Sequence, residues 1–122
     1  MAHFIYEYSA NLPADQLDLP GLMEKMHTAA AASGIFPLSG MRSRAIRCED
    51  FRIGDGNPEH GFVNLSMKVG SGRDLETRMA MGRTLFDILI AHLQPILASR
   101  GLAISFEMRE LEEHVKFNHR NI

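Results

Sequence analysis

Phe62-Val63-Asn64-Leu65-Ser66-Met67-Lys68-Val69-Gly70-Ser71-Gly72-Arg73-Asp74 is the stretch that decides the fold. Val63, Leu65, Met67 and Val69 fall on one side of an extended chain, and Asn64, Ser66 and Lys68 fall on the other. That alternation defines a half-buried strand over 62–69. The glycines then punctuate the chain, and Asp74 stands where a helix N-cap is needed, with Glu76 placed favourably against the positive end of the helix dipole. Leu75, Met79, Leu85, Phe86, Leu89, Leu93, Ile96 and Leu97 trace an apolar stripe that closes at Arg100-Gly101. Pro95 kinks or ends that helix locally. Residues 102–109 alternate again, Leu102, Ile104, Phe106 and Met108 against Ser105, Glu107 and Arg109. A strand, a helix and a strand of these lengths predict a right-handed parallel crossover.

The upstream half repeats the order. Residues 3–8 and 39–47 are expected strands, although their apolar residues do not keep to one face. Between them a helix starts at Asp18-Leu19-Pro20, carries Leu22, Met23 and Met26 at helical spacing, and stops at Gly34, with Pro37 beyond. The segment from Asp50 to Gly61, with Gly54, Gly56 and Pro58, is a loop. Two βαβ units in one domain, residues 1–122, predict an α+β fold: a four-stranded sheet with two helices on one face. The other face is left bare and partly apolar, which predicts self-association. A chain of 122 residues also has little bulk to enclose a pocket, so a site shared between subunits is expected.

Composition narrows the function classes. Hydrophobic residues make up 45% and charged residues 23%, which excludes intrinsic disorder as a description of the chain. Thirteen Lys and Arg against fifteen Asp and Glu give a net charge of -2, so nucleic acid is not an expected partner. The single cysteine, Cys48, cannot form an intramolecular disulfide or a multi-cysteine zinc site, and it has no motif around it. The stretch from Met1 to Ala10 lacks the basic and apolar regions of a signal peptide, and no run approaches the ~18 apolar residues of a membrane span. A soluble cytoplasmic protein with no membrane partner is the expectation.

Candidate chemistry is sparse. The Gly70–Asp74 segment is either a plain strand-to-helix turn or an anion site in which backbone N–H groups are joined by the Arg73 fork. Leu75 replaces the third glycine of a dinucleotide fingerprint, and no Gly-Lys-Ser/Thr follows for a phosphate loop. Arg42 and Arg44, two apart in a strand, share a face. Such a pair suits a carboxylate or phosphate, or belongs to a solvated face with surface ion pairs. The six histidines, at 3, 27, 60, 92, 114 and 119, show no metal-ligand spacing, so no metal is expected. Glu110, Glu112, Glu113 and His114 are expected in a solvated turn, and the eight methionines mostly in the core.

Five segments recur in order: Met1-Ala2-His3-Phe4-Ile5, Asp18-Leu19-Pro20-Gly21-Leu22, the run from Gly34 to Arg44, Gly70-Ser71-Gly72-Arg73-Asp74-Leu75-Glu76 and Ser105-Phe106-Glu107. Together they closely resemble the 5-carboxymethyl-2-hydroxymuconate Δ-isomerases of the tautomerase superfamily. The resemblance covers nearly the whole chain, and Gly34-Ile35-Phe36-Pro37-Leu38-Ser39-Gly40-Met41-Arg42-Ser43-Arg44 is its most specific part. It implies a homotrimer of two βαβ units per chain and an isomerase in homoprotocatechuate degradation that needs no metal or organic cofactor. It implies a dienol substrate with several carboxylates, and a base that is the amine of an N-terminal proline exposed when the initiator Met is removed. Arg42 and Arg73 match the arginines that bind carboxylates and steady enolate charge, and Arg44 lies in the same motif as a further substrate-binding residue. The departure is Ala2, which stands where the pattern has proline and offers a primary amine in its place. A trimeric homologue that binds carboxylates without turnover is the alternative that this departure raises.

Overall fold

The computed structural model describes all residues from Met1 to Ile122. Four strands, β1 (Ala2–Ser9), β2 (Met41–Cys48), β3 (Gly61–Val69) and β4 (Leu102–Glu110), form one sheet in the order β2-β1-β3-β4. β1 pairs with β2 in parallel and β3 with β4 in parallel, whereas β1 and β3 are antiparallel. These are the two βαβ units expected, joined through their inner strands. In register, Ala2 lies opposite both Met41 and Val69, and Val69 lies opposite Glu110. The starts of β1 and β2 therefore meet the ends of β3 and β4 at one end of the sheet.

The helices are α1 (Ala14–Leu17), α2 (Leu19–Ala32), α3 (Leu75–His92) and α4 (Gln94–Ser99). Asp18, with φ 38°, takes the left-handed conformation between α1 and α2, and its carboxylate accepts from the Gly21 N–H at 3.2 Å. Asp74 caps α3 by accepting from the Thr77 N–H at 2.7 Å. The expected second helix is split at Leu93, because Pro95 in the first turn of α4 has no N–H to continue the ladder.

Ala2, Phe4, Tyr6, Val63, Leu65, Met67 and Val69 are fully buried on one sheet face, beneath Leu22, Met26 and Ala30 of α2 and Leu85 and Leu89 of α3. This explains the blurred pattern of β1. The strand is central, so Ile5 faces the opposite side while Phe4 and Tyr6 enter the core. β2 begins at Met41, two residues later than expected, because Leu38–Gly40 forms a 3-10 turn behind Pro37.

The open face is bare and partly apolar, as expected. It carries His3, Glu7, Arg42, Arg44, Asn64, Ser66, Lys68, Ser105, Glu107 and Arg109, with Ile5, Ile46 and Phe62 as its large apolar members. A second unpartnered apolar surface lies between α3 and the edge strand β4. There Leu75, Met79, Phe86, Ile104, Phe106 and Met108 line a groove of about 1150 Å³. Leu75 and Met79 are 61% and 65% exposed. No helix is long and apolar enough to cross a membrane.

Candidate active site at the chain terminus

The register delivers the chain terminus to a crowded place. The Gly70 N–H donates to the Met1 carbonyl at 3.2 Å, which ties the terminus to the end of β3. On the other side a methyl group built on Gly40 would lie 3.6 Å from Met1 Cα, so the 3-10 turn before β2 packs beside the terminus. Ala2 itself is fully buried.

Arg73 is held toward this terminus from three sides. Its Nη1 donates to the Gly70 carbonyl at 2.9 Å and its Nη2 to the Ile35 carbonyl at 3.0 Å. The guanidinium carbon lies 4.6 Å from the centre of the Phe36 ring. A planar cation with several donors and an affinity for aromatic faces can satisfy all three at once. The two glycine-containing loops, 34–37 and 70–74, are thereby clamped together.

The backbone of the second loop is occupied. The Gly72 N–H donates to a Glu110 carboxylate oxygen at 3.0 Å, and the other oxygen lies 3.7 Å from Arg78. Of the two readings of Gly70–Asp74, the plain strand-to-helix turn describes the amides of Gly70 and Gly72. The arginine, however, points back to the strand ends rather than to the helix N-terminus.

Arg42 lies opposite His3 on the open face, next to the terminus. Arg44 lies one step further along the same face, opposite Ile5, and its Nη1 donates to His3 Nδ1 at 3.2 Å. The structure thus brings Ala2, Arg42 and Arg73 together, with Arg44 beside them on His3. It adds two cations that the motifs did not single out. After Leu111, whose N–H donates to the Val69 carbonyl at 2.7 Å, the tail brings Lys116 and Arg120 to the same end of the sheet. Their signal in the sequence was only their charge, because the tail has no periodicity to place it.

The electrostatics follow. Burial holds the Met1 amine below its ordinary value of 8.0, and Arg73, Lys116, Arg120 and Arg42 push it down further. Burial also lowers His3, helped by Arg44, Arg42, Lys68 and the amine. None of Arg42, Arg44, Arg73, Lys116 and Arg120 has a carboxylate within 4.0 Å, since the ion pairs of the chain involve Arg47, Arg78, Arg83, Arg109 and His114. The arrangement offers an amine of lowered basicity inside a ring of uncompensated cations. No three of its His, Cys, Asp and Glu side chains gather in a metal-binding group.

A family model described as 5-carboxymethyl-2-hydroxymuconate isomerase matches residues 2–122. The chain is 40% identical over 122 residues to 5-carboxymethyl-2-hydroxymuconate Delta-isomerase of Escherichia coli, covering 100% of this chain and 96% of that protein. The crystal structure of a 5-carboxymethyl-2-hydroxymuconate isomerase from Deinococcus radiodurans R1 superposes with a TM-score of 0.92 at 34% identity, over 98% of this chain and 90% of that one. A fused 4-OT symmetric trimer shares the fold alone, with a TM-score of 0.64 at 13% identity over 89% of this chain and 86% of that one. The chain belongs to the 5-carboxymethyl-2-hydroxymuconate isomerase family.

Proposed function

We propose that the chain, after removal of Met1, isomerises 5-carboxymethyl-2-hydroxymuconate in aromatic degradation, with the Ala2 amine as proton carrier and Arg42 and Arg73 as its carboxylate-binding partners. The observation that carries this is the ring of unpaired cations around a buried strand terminus. Alanine is small enough at position 2 to permit removal of Met1, and the freed amine then starts β1 between Gly40 and Gly70.

In the neutral form the amine takes the proton of the substrate 2-hydroxyl. The oxygen lone pair closes the carbonyl at C2, the double bond moves to C3–C4, and C5 receives the proton back from the ammonium. Atoms and electrons balance with no redox partner. Arg73, fixed by Gly70, Ile35 and Phe36, meets the negative charge that grows on the dienolate without having to reorganise. Arg42 binds a carboxylate from the open-face side, and Arg44 extends that cationic strip while holding His3. The enzyme acts in the cytoplasm as a homotrimer in which the groove between α3 and β4 is covered by a neighbour.

The second reading, carboxylate binding without turnover, rests on Ala2, which lacks the fixed ring of proline. Mass spectrometry of the mature N-terminus, followed by the ultraviolet change of the dienol on adding protein, separates the two. A correctly processed sample that binds muconate-like dicarboxylates and leaves the dienol unchanged removes the isomerase reading. Ala2→Pro is expected to raise turnover, and absence of any gain after verified Met removal means that the pocket has diverged.

A further inference from the structure

The strand order β2-β1-β3-β4 sets the end of β4 and the start of β2 at opposite edges of the same end of the sheet, and the tail after β4 runs across the strand ends between them. Its contacts follow that path in sequence order. Leu111 bonds to Val69 at the end of β3. Lys116 follows at Gly70, where a built methyl group would lie 3.9 Å from Lys116 Nζ and 3.8 Å from Arg73 Nη1. Arg120 ends at Gly40, where a built methyl group would lie 3.0 Å from an Arg120 guanidinium nitrogen and 3.6 Å from Met1 Cα. Residues 111–122 therefore form a strap over the terminus, and both of its cations stand on the glycines that flank it.

Neither cation is neutralised by the chain. Lys116 is half-buried and Arg120 exposed, and no carboxylate lies within 4.0 Å of either. Four like charges around one amine repel one another, and such a cluster is relieved by a polyanionic ligand. The substrate of the reading above supplies one. A muconate backbone carries two carboxylates and the carboxymethyl arm a third, one more than Arg42 and Arg73 address.

We propose that the strap completes the binding site, with Lys116 and Arg120 forming the seat of a third carboxylate and so selecting tricarboxylates over dicarboxylates. This rests on the isomerase reading for the identity of the ligand, although the binding chemistry is independent of turnover. The lowered basicity of the terminal amine, to which Lys116 and Arg120 both contribute, places them in the same field as Arg73.

The test is calorimetric binding of cis-aconitate, with three carboxylates, and cis,cis-muconate, with two, to the full-length protein and to Lys116→Gln, Arg120→Gln and Arg120→Lys. The wild type is expected to prefer the tricarboxylate by about tenfold or more. Lys116→Gln and Arg120→Gln bring that ratio toward one, and Arg120→Lys keeps part of it. The proposal is overturned if the wild type shows no preference, or if the variants weaken both ligands equally or neither. A parallel assay with the dienol keeps the two readings apart. Preference without turnover leaves the subsite and removes the isomerisation, whereas turnover without preference does the reverse.

Discussion

Arg73 is the clamped side chain on which the proposed function rests. Two hydrogen bonds and an aromatic face leave its guanidinium little freedom, so replacing it removes both the charge and the tie between the loops at 34–37 and 70–74. Arg73→Ala is expected to lower kcat/KM by about 10²- to 10³-fold, the range seen when one preorganised charge-stabilising group is lost. Arg73→Lys should recover little, because an ammonium cannot reach both carbonyls and lie flat on Phe36. Steady-state kinetics on folded variants decide this, and a lysine variant with near-normal kcat/KM would sink the clamped-fork account. The same residue sets a pH dependence. The amine works as a base only when neutral, and in the proposed reading the freed Ala2 amine takes over the surroundings, burial and four cations, that hold the Met1 amine below 8.0. The kcat/KM of the processed enzyme should therefore rise with pH with its midpoint below 8.0, and in Arg73→Ala that midpoint should move to higher pH. A rise centred at or above 8.0 in the wild type means that the amine does not feel the cations. Arg73 could be singled out from the sequence because it follows a glycine pair at the end of an alternating strand. Lys116 and Arg120 could not, since their position depends on the strand order, which is a property of the whole sheet.

The elements of the second half were the more readable ones, and the reason is burial. β3 and β4 keep Val63, Leu65, Met67 and Leu102, Ile104, Phe106 to the helix side, so their period survives in the sequence. β1 and β2 sit over an open face that tolerates Ile5 and Ile46, which blurs the period. Asp18 in the left-handed region and the 3-10 turn at Leu38–Gly40 are local backbone solutions with no periodic signal. The loop from Gly70 to Asp74 has a similar local logic. Gly72 has φ 106°, where a side chain is strained, while its N–H is bound to Glu110. Gly72→Ala is expected to destabilise the fold by about 1–2 kcal/mol and to lower kcat/KM as Arg73 shifts with the loop. Gly54, with φ 55° in the 50–60 loop at the far end of the sheet, is the control. Gly54→Ala should cost a comparable stability in urea denaturation and leave kcat/KM unchanged. Equal effects of the two substitutions on activity would show that the loop does not position Arg73.

At the scale of the molecule the open question raised by a 122-residue chain is what covers its surplus apolar surface. The open sheet face supplies part of it through Ile5, Ile46 and Phe62 among charged and polar groups. The larger apolar demand lies at the groove between α3 and β4, lined by Leu75, Met79, Phe106 and Met108, where β4 also leaves a strand edge unpaired. A methionine taken from water into an apolar contact stabilises by about 1.5–3 kcal/mol, and a carboxylate in the same contact must be desolvated without a partner. Met79→Glu is therefore expected to move the mass measured by light scattering from the assembly toward the 13.7 kDa of one chain. Since Leu75 opens this groove only two residues after Arg73, loss of the neighbour should also loosen the Arg73 loop, and activity should fall with the assembled fraction rather than independently of it. Diluting the wild type until it dissociates provides the companion measurement. If Met79→Glu stays assembled, the subunit contact lies on another surface; if it dissociates with full activity, each chain completes its site alone.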